Sequence, residues 1–156
     1  MKWGNHMYCG GEIIKVNNII FKNKFADHAS LVGRPCIILS ECNNKLTLLP
    51  LTSSTSDAKD VVGFNVRFEK SDFEDCKRCF KPKDVSFANL NSMFQRDLIY
   101  HDILGYLRLK RYYELLKEIA EKRLEESIYC SEVYKDIYSD LEYQRNNCEI
   151  ILRKKD

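Results

Sequence analysis

One arginine and three consecutive hydroxyl residues lie at the two ends of a predicted pair of strands. The stretch GRPCIILSECNNKLTLLPLTSS, residues 33–54, carries Arg34 near its start and Thr52, Ser53 and Ser54 at its end. Two antiparallel strands joined by a short turn bring the start of the first beside the end of the second, so Arg34 and Thr52 are expected to be neighbours. A guanidinium, exposed hydroxyls and nearby backbone N–H groups would hold one phosphate. Hydroxyl residues are also common where strands end, so a solvated turn is the alternative.

The elements that would position this cluster are predicted to be short strands. β-Branched residues indicate a strand over residues 12–21, broken near Asn17-Asn18. Pro35 opens the strand CIILS, because proline cannot donate a ladder hydrogen bond, and a turn with Asn43-Asn44 at its tip leads to the returning strand LTLLPL. Two more strands are predicted as FNVRFE and VSFANL, with irregular segments over residues 22–33 and 70–84.

The apolar period changes after residue 91. Ser92 and Gln95 have the spacing of a helix capping box, and aliphatic residues then recur at threes and fours as far as Leu124, which predicts one long helix. A second helix is predicted from Ser131, with an apolar stripe made of Val133, Ile137, Leu141 and Cys148. Strands first and helices after predict an α+β fold. We expect a single domain, with a small, strongly curved antiparallel sheet or barrel over residues 1–97 and two helices packed on it over residues 98–156.

The overall composition indicates a globular protein with a weak positive charge. The 156 residues are 44% hydrophobic and 31% charged, with a net charge of +2. A surplus this small permits a nucleic-acid partner without requiring one. No apolar run approaches the roughly 18 to 20 residues that span a bilayer, and the N-terminal stretch lacks the apolar core of a signal peptide. Seven irregularly spaced cysteines are expected to be reduced thiols, so we predict a cytoplasmic protein without a membrane partner.

The same residues resemble a known family. GRPCIIL followed by LLPLTSS resembles the MazF/PemK/Kid group of toxin endoribonucleases, in which an Arg-Pro strand pairs with a strand ending in Pro-x-Thr-(Ser/Thr). GEIIKV resembles the first strand of that group, and NVRF and VSFANLNSM resemble later ones, so the likeness covers about residues 10 to 96. Three features are similar to the ToxN/CptN-like branch, whose antitoxin is a structured RNA. They are the spacing from the start of the second strand to PLTS, the segment ANLNSM and the long C-terminal helices. Arg34-Pro35 is closer to MazF itself.

The resemblance implies RNA cleavage without a metal or other cofactor, in which a ribose 2′-OH attacks the adjacent phosphate. Arg34 would stabilise charge on the phosphate, Thr52 and Ser53 would donate hydrogen bonds to it, and His28 is the candidate general base. Asn89 corresponds to an active-site amide of MazF, or is an ordinary turn residue. Further residues are expected to bind RNA, with Phe21 and Phe25 as possible stacking partners for bases. These phosphate-binding candidates are Lys22, Lys24, Ser54, Lys59, Arg108, Lys110 and Arg111.

Other interpretations of the sequence remain open. Cys76-x-x-Cys79 has the spacing of a zinc knuckle but would need Cys42 and His101 as further ligands, so no metal site is predicted. Eight tyrosines between residues 100 and 143 would pack in the core, stack on bases or line a protein interface. The preferred function is that of a bacterial toxin that cleaves mRNA and is inhibited by an RNA antitoxin, as a homo-oligomer or a cyclic protein–RNA assembly. The alternatives are a toxin inhibited by a protein antitoxin and a non-catalytic RNA-binding barrel.

Overall fold

The computed structural model describes residues 6–21, 28–52, 65–124 and 132–155. Within these ranges ten strands precede two helices, α1 and α2. The strands are β1 Glu12–Val16, β2 Ile19–Phe21, β3 His28–Ser30, β4 Arg34–Cys42, β5 Lys45–Pro50, β6 Asn65–Glu69, β7 Phe73–Glu74, β8 Val85–Asn89, β9 Phe94–Asp97 and β10 Ile103–Leu107. The helices are α1 Leu109–Leu124 and α2 Glu132–Lys155, and short 3₁₀ turns span Lys70–Asp72 and Leu90–Ser92.

Six strands form one antiparallel sheet in the order β7-β10-β1-β4-β5-β9. Strands β2 and β3 form a separate pair, as do β6 and β8. A single bridge between Thr52 and Phe87 connects the end of β5 to the β6–β8 pair. The prediction of an α+β fold with an antiparallel sheet is therefore confirmed. The six-stranded sheet is not closed into a barrel, so the predicted closure is not confirmed.

The two faces of the large sheet bury different apolar sets, as side-chain alternation along strands requires. Ile13, Ile37 and Leu49 face one side, where they form a core with residues of both helices such as Leu115 and Leu141. On the opposite face, a smaller core is formed by residues of β1, β4 and β5 together with an N-terminal tyrosine. Its members are Tyr8, Ile14, Val16, Ile19, Cys36, Ile38, Leu46 and Leu48.

The β4–β5 hairpin follows the sequence closely. Asn43 and Asn44 have φ angles of 54° and 60°, the left-handed conformation that a two-residue type I′ hairpin turn needs and that asparagine tolerates. This turn fixes the register that pairs Glu41 with Leu46. An irregularity between Ile38 and Ser40 then shifts the register by one residue, so that Cys36 pairs with Pro50 at the other end of the hairpin. The predicted break in the first strand is also confirmed, because Asn18 has a φ of 58° between β1 and β2.

The long helix predicted from Ser92 to Leu124 is confirmed over Leu109–Leu124 and wrong as far as Leu107. Residues 94–97 form β9 against β5, and residues 103–107 form β10 between β1 and β7. Both strands are so short that their aliphatic spacing also fits a helix, and pairing with existing strands decides between the two. Ser92 ends a 3₁₀ turn instead of capping an α-helix. The sheet therefore extends to Leu107, ten residues beyond the predicted boundary at residue 97.

The two helices cover one face of the sheet. Helix α1 buries Tyr112, Leu115 and Ile119, and α2 begins at Glu132, next to the predicted start. Leu141 and Cys148 of the predicted stripe are buried, at 3% and 4% exposure, whereas Ser131 and the side chains of Val133 and Ile137 lie outside the described part of the chain. Among the described residues, neither helix combines the length and apolar character that crossing a lipid bilayer requires.

Candidate functional site

A cleft of about 210 Å³ opens where the start of β4 meets the end of β5. We call it the Arg34 cleft. Ten described residues line it, namely Arg34, Pro35, Leu51, Thr52, Cys79, Phe80, Lys81, Pro82, Lys83 and Ser86. The two residues that the hairpin was expected to bring together, Arg34 and Thr52, therefore line the same cleft.

Backbone hydrogen bonds at the mouth of the hairpin hold Thr52 in place. The Leu51 N–H donates to the Pro35 carbonyl at 2.9 Å, which continues the β4–β5 ladder beyond Pro50. Thr52 then pairs with Phe87 of β8, donating at 2.9 Å and accepting at 2.7 Å. Thr52 is consequently fixed by a strand on each side, a rigid position for a group that would bind a phosphate.

Arg34 is half-buried and is oriented by a neighbouring strand. Its Nε donates to Ser30 Oγ of β3 at 3.0 Å, and Ser30 is only 5% exposed. A guanidinium has five N–H donors in a fixed plane, so a bond at Nε sets the direction in which the other donors point.

The expectation of exposed hydroxyls does not hold for Thr52, which is also only 5% exposed. The reason is its pairing with Phe87, which places β8 over the end of the hairpin. A substitution at Thr52 therefore affects packing as well as the cleft, and a test of its hydroxyl needs a replacement of similar shape.

Sequence reasoning missed the two lysines of the cleft, Lys81 and Lys83. They follow a turn at residues 77–80, in which the Phe80 N–H donates to the Lys77 carbonyl at 3.0 Å. Lys77, Arg78, Lys81 and Lys83 are all exposed, and we refer to residues 77–83 as the basic turn. The signal was present in the sequence as KRCFKPK, four cations within seven residues.

The described lining of the Arg34 cleft is positively charged. This described lining includes three cationic side chains, Arg34, Lys81 and Lys83, and no aspartate or glutamate. Ser86 adds a buried hydroxyl, at 7% exposure, to that of Thr52. Cations together with hydroxyl donors around a small cleft are suited to an anion the size of a phosphate.

Several predicted site residues lie outside the described part of the chain. These are Lys22, Lys24, Phe25, Ser53, Ser54 and Lys59. The backbone of His28 is described and pairs with Phe21 in the β2–β3 ladder, but its side chain and that of Phe21 are not. The roles predicted for all of these residues stay predictions.

Asn89 has a local structural role. It is 2% exposed, and its Oδ1 accepts a hydrogen bond from the Asn91 N–H at 2.8 Å, which caps the 3₁₀ turn after β8. It is not among the described residues that line the Arg34 cleft. These contacts fit the turn-residue alternative, and the role of Asn89 in RNA binding stays a prediction.

Arg108 and Arg111 make intramolecular contacts near the start of α1. Arg108 binds Glu74 at 2.8 Å and the Ser71 carbonyl at 2.8 Å. The Arg111 side chain is only 11% exposed. Its guanidinium lies 4.5 Å from the centre of the Phe68 ring and 3.2 Å from the Glu118 carboxylate. Lys110 between them is exposed. The two arginines hold α1 against the β6–β7 region, and neither lines the Arg34 cleft as described.

The cysteines and tyrosines of interest are distributed over the molecule. The six described cysteines are free thiols, and no group of three or more potential metal ligands occurs in the part of the chain that the structure describes. Cys79 lines the Arg34 cleft. Burial raises the pKa of the nearby Cys76 thiol.

Tyr112 is a core residue among the tyrosines of α1. It is buried, and its hydroxyl donates to the Leu39 carbonyl.

No protein-family model matches the sequence, and no curated protein matches it significantly.

Proposed function

We propose that the protein is a metal-independent endoribonuclease and the toxin of a bacterial toxin–antitoxin system. The observation that carries the proposal is the Arg34 cleft, where a hairpin brings a guanidinium and a hydroxyl together beside two lysines and no described carboxylate. A phosphodiester of RNA fits this charge and size. The likeness of GRPCIIL and LLPLTSS to the MazF/PemK/Kid group supports the same assignment, since these two segments form the cleft's hairpin.

The proposed reaction is an internal transesterification of RNA. The ribose 2′-oxygen attacks the adjacent phosphorus, the bond from phosphorus to the 5′-oxygen of the next nucleotide breaks, and the products carry a 2′,3′-cyclic phosphate and a 5′-hydroxyl. The 2′-OH proton passes to a general base, for which His28 is the candidate, and a second proton reaches the leaving 5′-oxygen. Arg34 and Thr52 stabilise the additional negative charge on the non-bridging oxygens, and Ser53 is proposed to assist them.

The proposed fold relationship is with the MazF-like barrels. The bridge from Thr52 to Phe87 supports it, because the bridge connects the end of β5 to the β6–β8 pair. In this proposal the helices α1 and α2 are an addition to the barrel, as in the ToxN/CptN-like branch.

The proposed partner is a folded RNA antitoxin that occupies the cleft in the cytoplasm, in a homo-oligomeric or cyclic assembly. The basic turn supports an RNA partner, because two of its exposed cations, Lys81 and Lys83, line the cleft and would follow a phosphate backbone. A protein antitoxin would instead need an acidic segment to fill the same cleft. Co-purification distinguishes them, since a bound RNA is released by high salt and digested by ribonuclease.

The test incubates purified protein with labelled RNA in the presence of EDTA and identifies the ends of the products. We expect cleavage with 2′,3′-cyclic phosphate ends, and a loss of at least about a hundredfold in Arg34→Gln, typical of removing a group that stabilises transition-state charge. Arg153→Gln is the matched control, because Arg153 is an exposed arginine on α2 whose side chain is 76% accessible.

Two results would overturn the proposal. RNA binding without cleavage by the wild-type protein would favour the non-catalytic RNA-binding module. Equal cleavage by the wild type and Arg34→Gln would show that the Arg34 cleft is not the active site.

A further inference from the structure

A second cavity, of about 400 Å³, lies beside the Arg34 cleft. We call it the Arg96 cavity. Its described lining combines aliphatic side chains of β1 and β5 with polar residues of β9 and of the loops that follow β1 and β9. The lining residues are Val16, Asn17, Asn18, Leu46, Leu48, Arg96, Asp97, Ile99 and His101. Ligand sites in proteins have this size and this mixture of apolar walls with a few polar groups.

The register of β1 and β4 places the two sites next to each other. Val16 lines the Arg96 cavity, and its direct partner in the ladder is Arg34, which lines the Arg34 cleft. Paired residues of antiparallel strands have Cα atoms about 4.5 to 5.5 Å apart. This ladder pair joins the linings of the two sites, which is the reason to expect that one RNA chain occupies both.

The donors of the Arg96 cavity are held in fixed positions. Arg96 donates from Nη2 to the Asn18 carbonyl at 2.5 Å and lies 5.1 Å over the Phe94 ring. A guanidinium has five N–H donors, so this single carbonyl bond leaves capacity for a ligand. The His101 backbone is clamped by the Tyr8 hydroxyl, which accepts from its N–H at 2.5 Å and donates to its carbonyl at 3.1 Å.

Tyr8 is itself anchored, which makes the clamp rigid. It is 3% exposed, and its N–H donates to Glu41 at 2.9 Å. The imidazole of His101 is therefore carried on a backbone segment tied to the sheet.

The walls of the cavity suit a flat, apolar ligand with a polar edge. Val16, Leu46 and Leu48 are buried core residues at 0% to 4% exposure, and they form a closed floor. Ile99 at the rim is 58% exposed, an aliphatic surface available to the face of a ring. Nucleobases have this combination of two apolar faces and a hydrogen-bonding edge, and proteins bind them singly when RNA is unpaired.

We propose that the Arg96 cavity binds an unpaired purine of the RNA, next to the phosphate held by Arg34. This rests on the proposed function, and it adds the base class that the enzyme selects. Purines are favoured because N7, and O6 in guanine, accept hydrogen bonds from arginine or imidazole donors, whereas pyrimidines have no N7. The pairing of Val16 with Arg34 makes the purine the nucleotide beside the cleaved bond.

The test measures binding separately from cleavage. The ligands are three short oligouridines with 2′-deoxy sugars throughout, which cannot be cleaved by 2′-OH attack. They differ only in the central base, which is uracil, guanine or 7-deazaguanine. We expect wild-type protein to bind the guanine oligonucleotide about tenfold more tightly than the other two in fluorescence anisotropy, the discrimination of one good contact to a base edge. Arg96→Gln and His101→Ala are expected to bind all three with similar affinity.

The control variant is Arg67→Gln, since Arg67 is a strand arginine whose side chain is 61% exposed and pairs with Glu69. It should keep the preference for guanine. Thermal unfolding of each variant checks the fold, and the comparison of guanine with 7-deazaguanine on unaltered protein needs no variant at all.

The outcomes separate this inference from the proposed function. Equal affinity of the wild-type protein for all three oligonucleotides would overturn the purine site, even if ribose-containing RNA is cleaved. A preference for guanine without cleavage of any RNA would keep the purine site and overturn the nuclease.

Discussion

The position of Arg34 depends on a hydroxyl four residues earlier in the chain. Ser30 Oγ accepts from Arg34 Nε at 3.0 Å and is nearly inaccessible to solvent. Small displacements of a group that stabilises a transition state reduce rates strongly, because the donors no longer meet the developing charge. Ser30 thus acts as a positioning residue for the proposed reaction.

We expect Ser30→Ala to lower the kcat/KM of RNA cleavage by roughly tenfold while leaving the fold intact. Ser40→Ala is the control, because Ser40 is a buried serine of the neighbouring strand β4 and its Oγ has no hydrogen-bond partner among the described residues. Equal activities of the two variants would show that the bond to Ser30 does not orient Arg34.

Tyr112 makes the stability of the fold sensitive to alkaline pH. Burial raises the pKa of its phenol well above the ordinary value of 10.0. Because the pKa is higher in the folded state, the unfolded chain loses the phenol proton more readily above pH 10. The free energy of unfolding is therefore unaffected by this group below pH 10 and decreases at higher pH. Urea unfolding between pH 8 and 11 should show this fall in the wild type and less of it in Tyr112→Phe. Parallel pH profiles would contradict the assignment.

At the scale of elements, the hairpin was predictable and the short strands after it were not. Asn43-Asn44 between two apolar runs specifies the turn locally, and so the proximity of Arg34 and Thr52 follows from the sequence. The one-residue register shift between Ile38 and Ser40 does not. β9 and β10 have four and five residues, and their pairing is with β5 and β1, far away in the chain. The run KRCFKPK reveals a cluster of cations, but the long-range packing that brings Lys81 and Lys83 to the Arg34 cleft is not visible in a local pattern.

Gly105 distinguishes the strand from the predicted helix. A Cβ at this position would lie 3.0 Å from Cys76 Sγ and 3.2 Å from Cys76 Cα, so part of the conflict is with backbone. Gly105→Ala is therefore expected to destabilise the protein by about 1 to 3 kcal/mol through overpacking. In a helix the same substitution would stabilise by about 1 kcal/mol. Denaturant midpoints measure the sign directly.

Gly33→Ala is the control for this comparison. A Cβ there would meet the side chains of Lys15 and Asn17 and none of the backbone atoms nearest to it, so the expected loss is smaller if these side chains move. An increase in stability on Gly105→Ala would contradict the assignment of residues 103–107 to β10.

At the scale of the whole molecule, the net charge of +2 provides little general attraction for RNA. Binding must then depend on local cations, and the basic turn carries four of them, of which Lys81 and Lys83 line the Arg34 cleft. The affinity for single-stranded RNA should fall with salt, with a slope of log K against log salt of about 0.7 for each phosphate neutralised.

Replacing Lys81 and Lys83 together by glutamine should make this slope shallower by about 1.4, if each lysine contacts one phosphate. Lys154→Gln, an exposed lysine of α2, is expected to leave it unchanged. A slope that is the same in all three proteins would place the RNA elsewhere on the surface.

The proposed reaction requires Arg34 and Thr52 to act on one phosphate, and a double-mutant cycle of RNA cleavage tests this directly. Thr52→Val keeps the shape of the buried side chain without its hydroxyl, and Thr52→Ser keeps the hydroxyl as the control. Groups that act as a unit are strongly non-additive. We therefore predict that Arg34→Gln with Thr52→Val cleaves RNA about as slowly as the worse single variant. Losses that multiply, or a Thr52→Val variant as active as the wild type, would contradict the shared phosphate site.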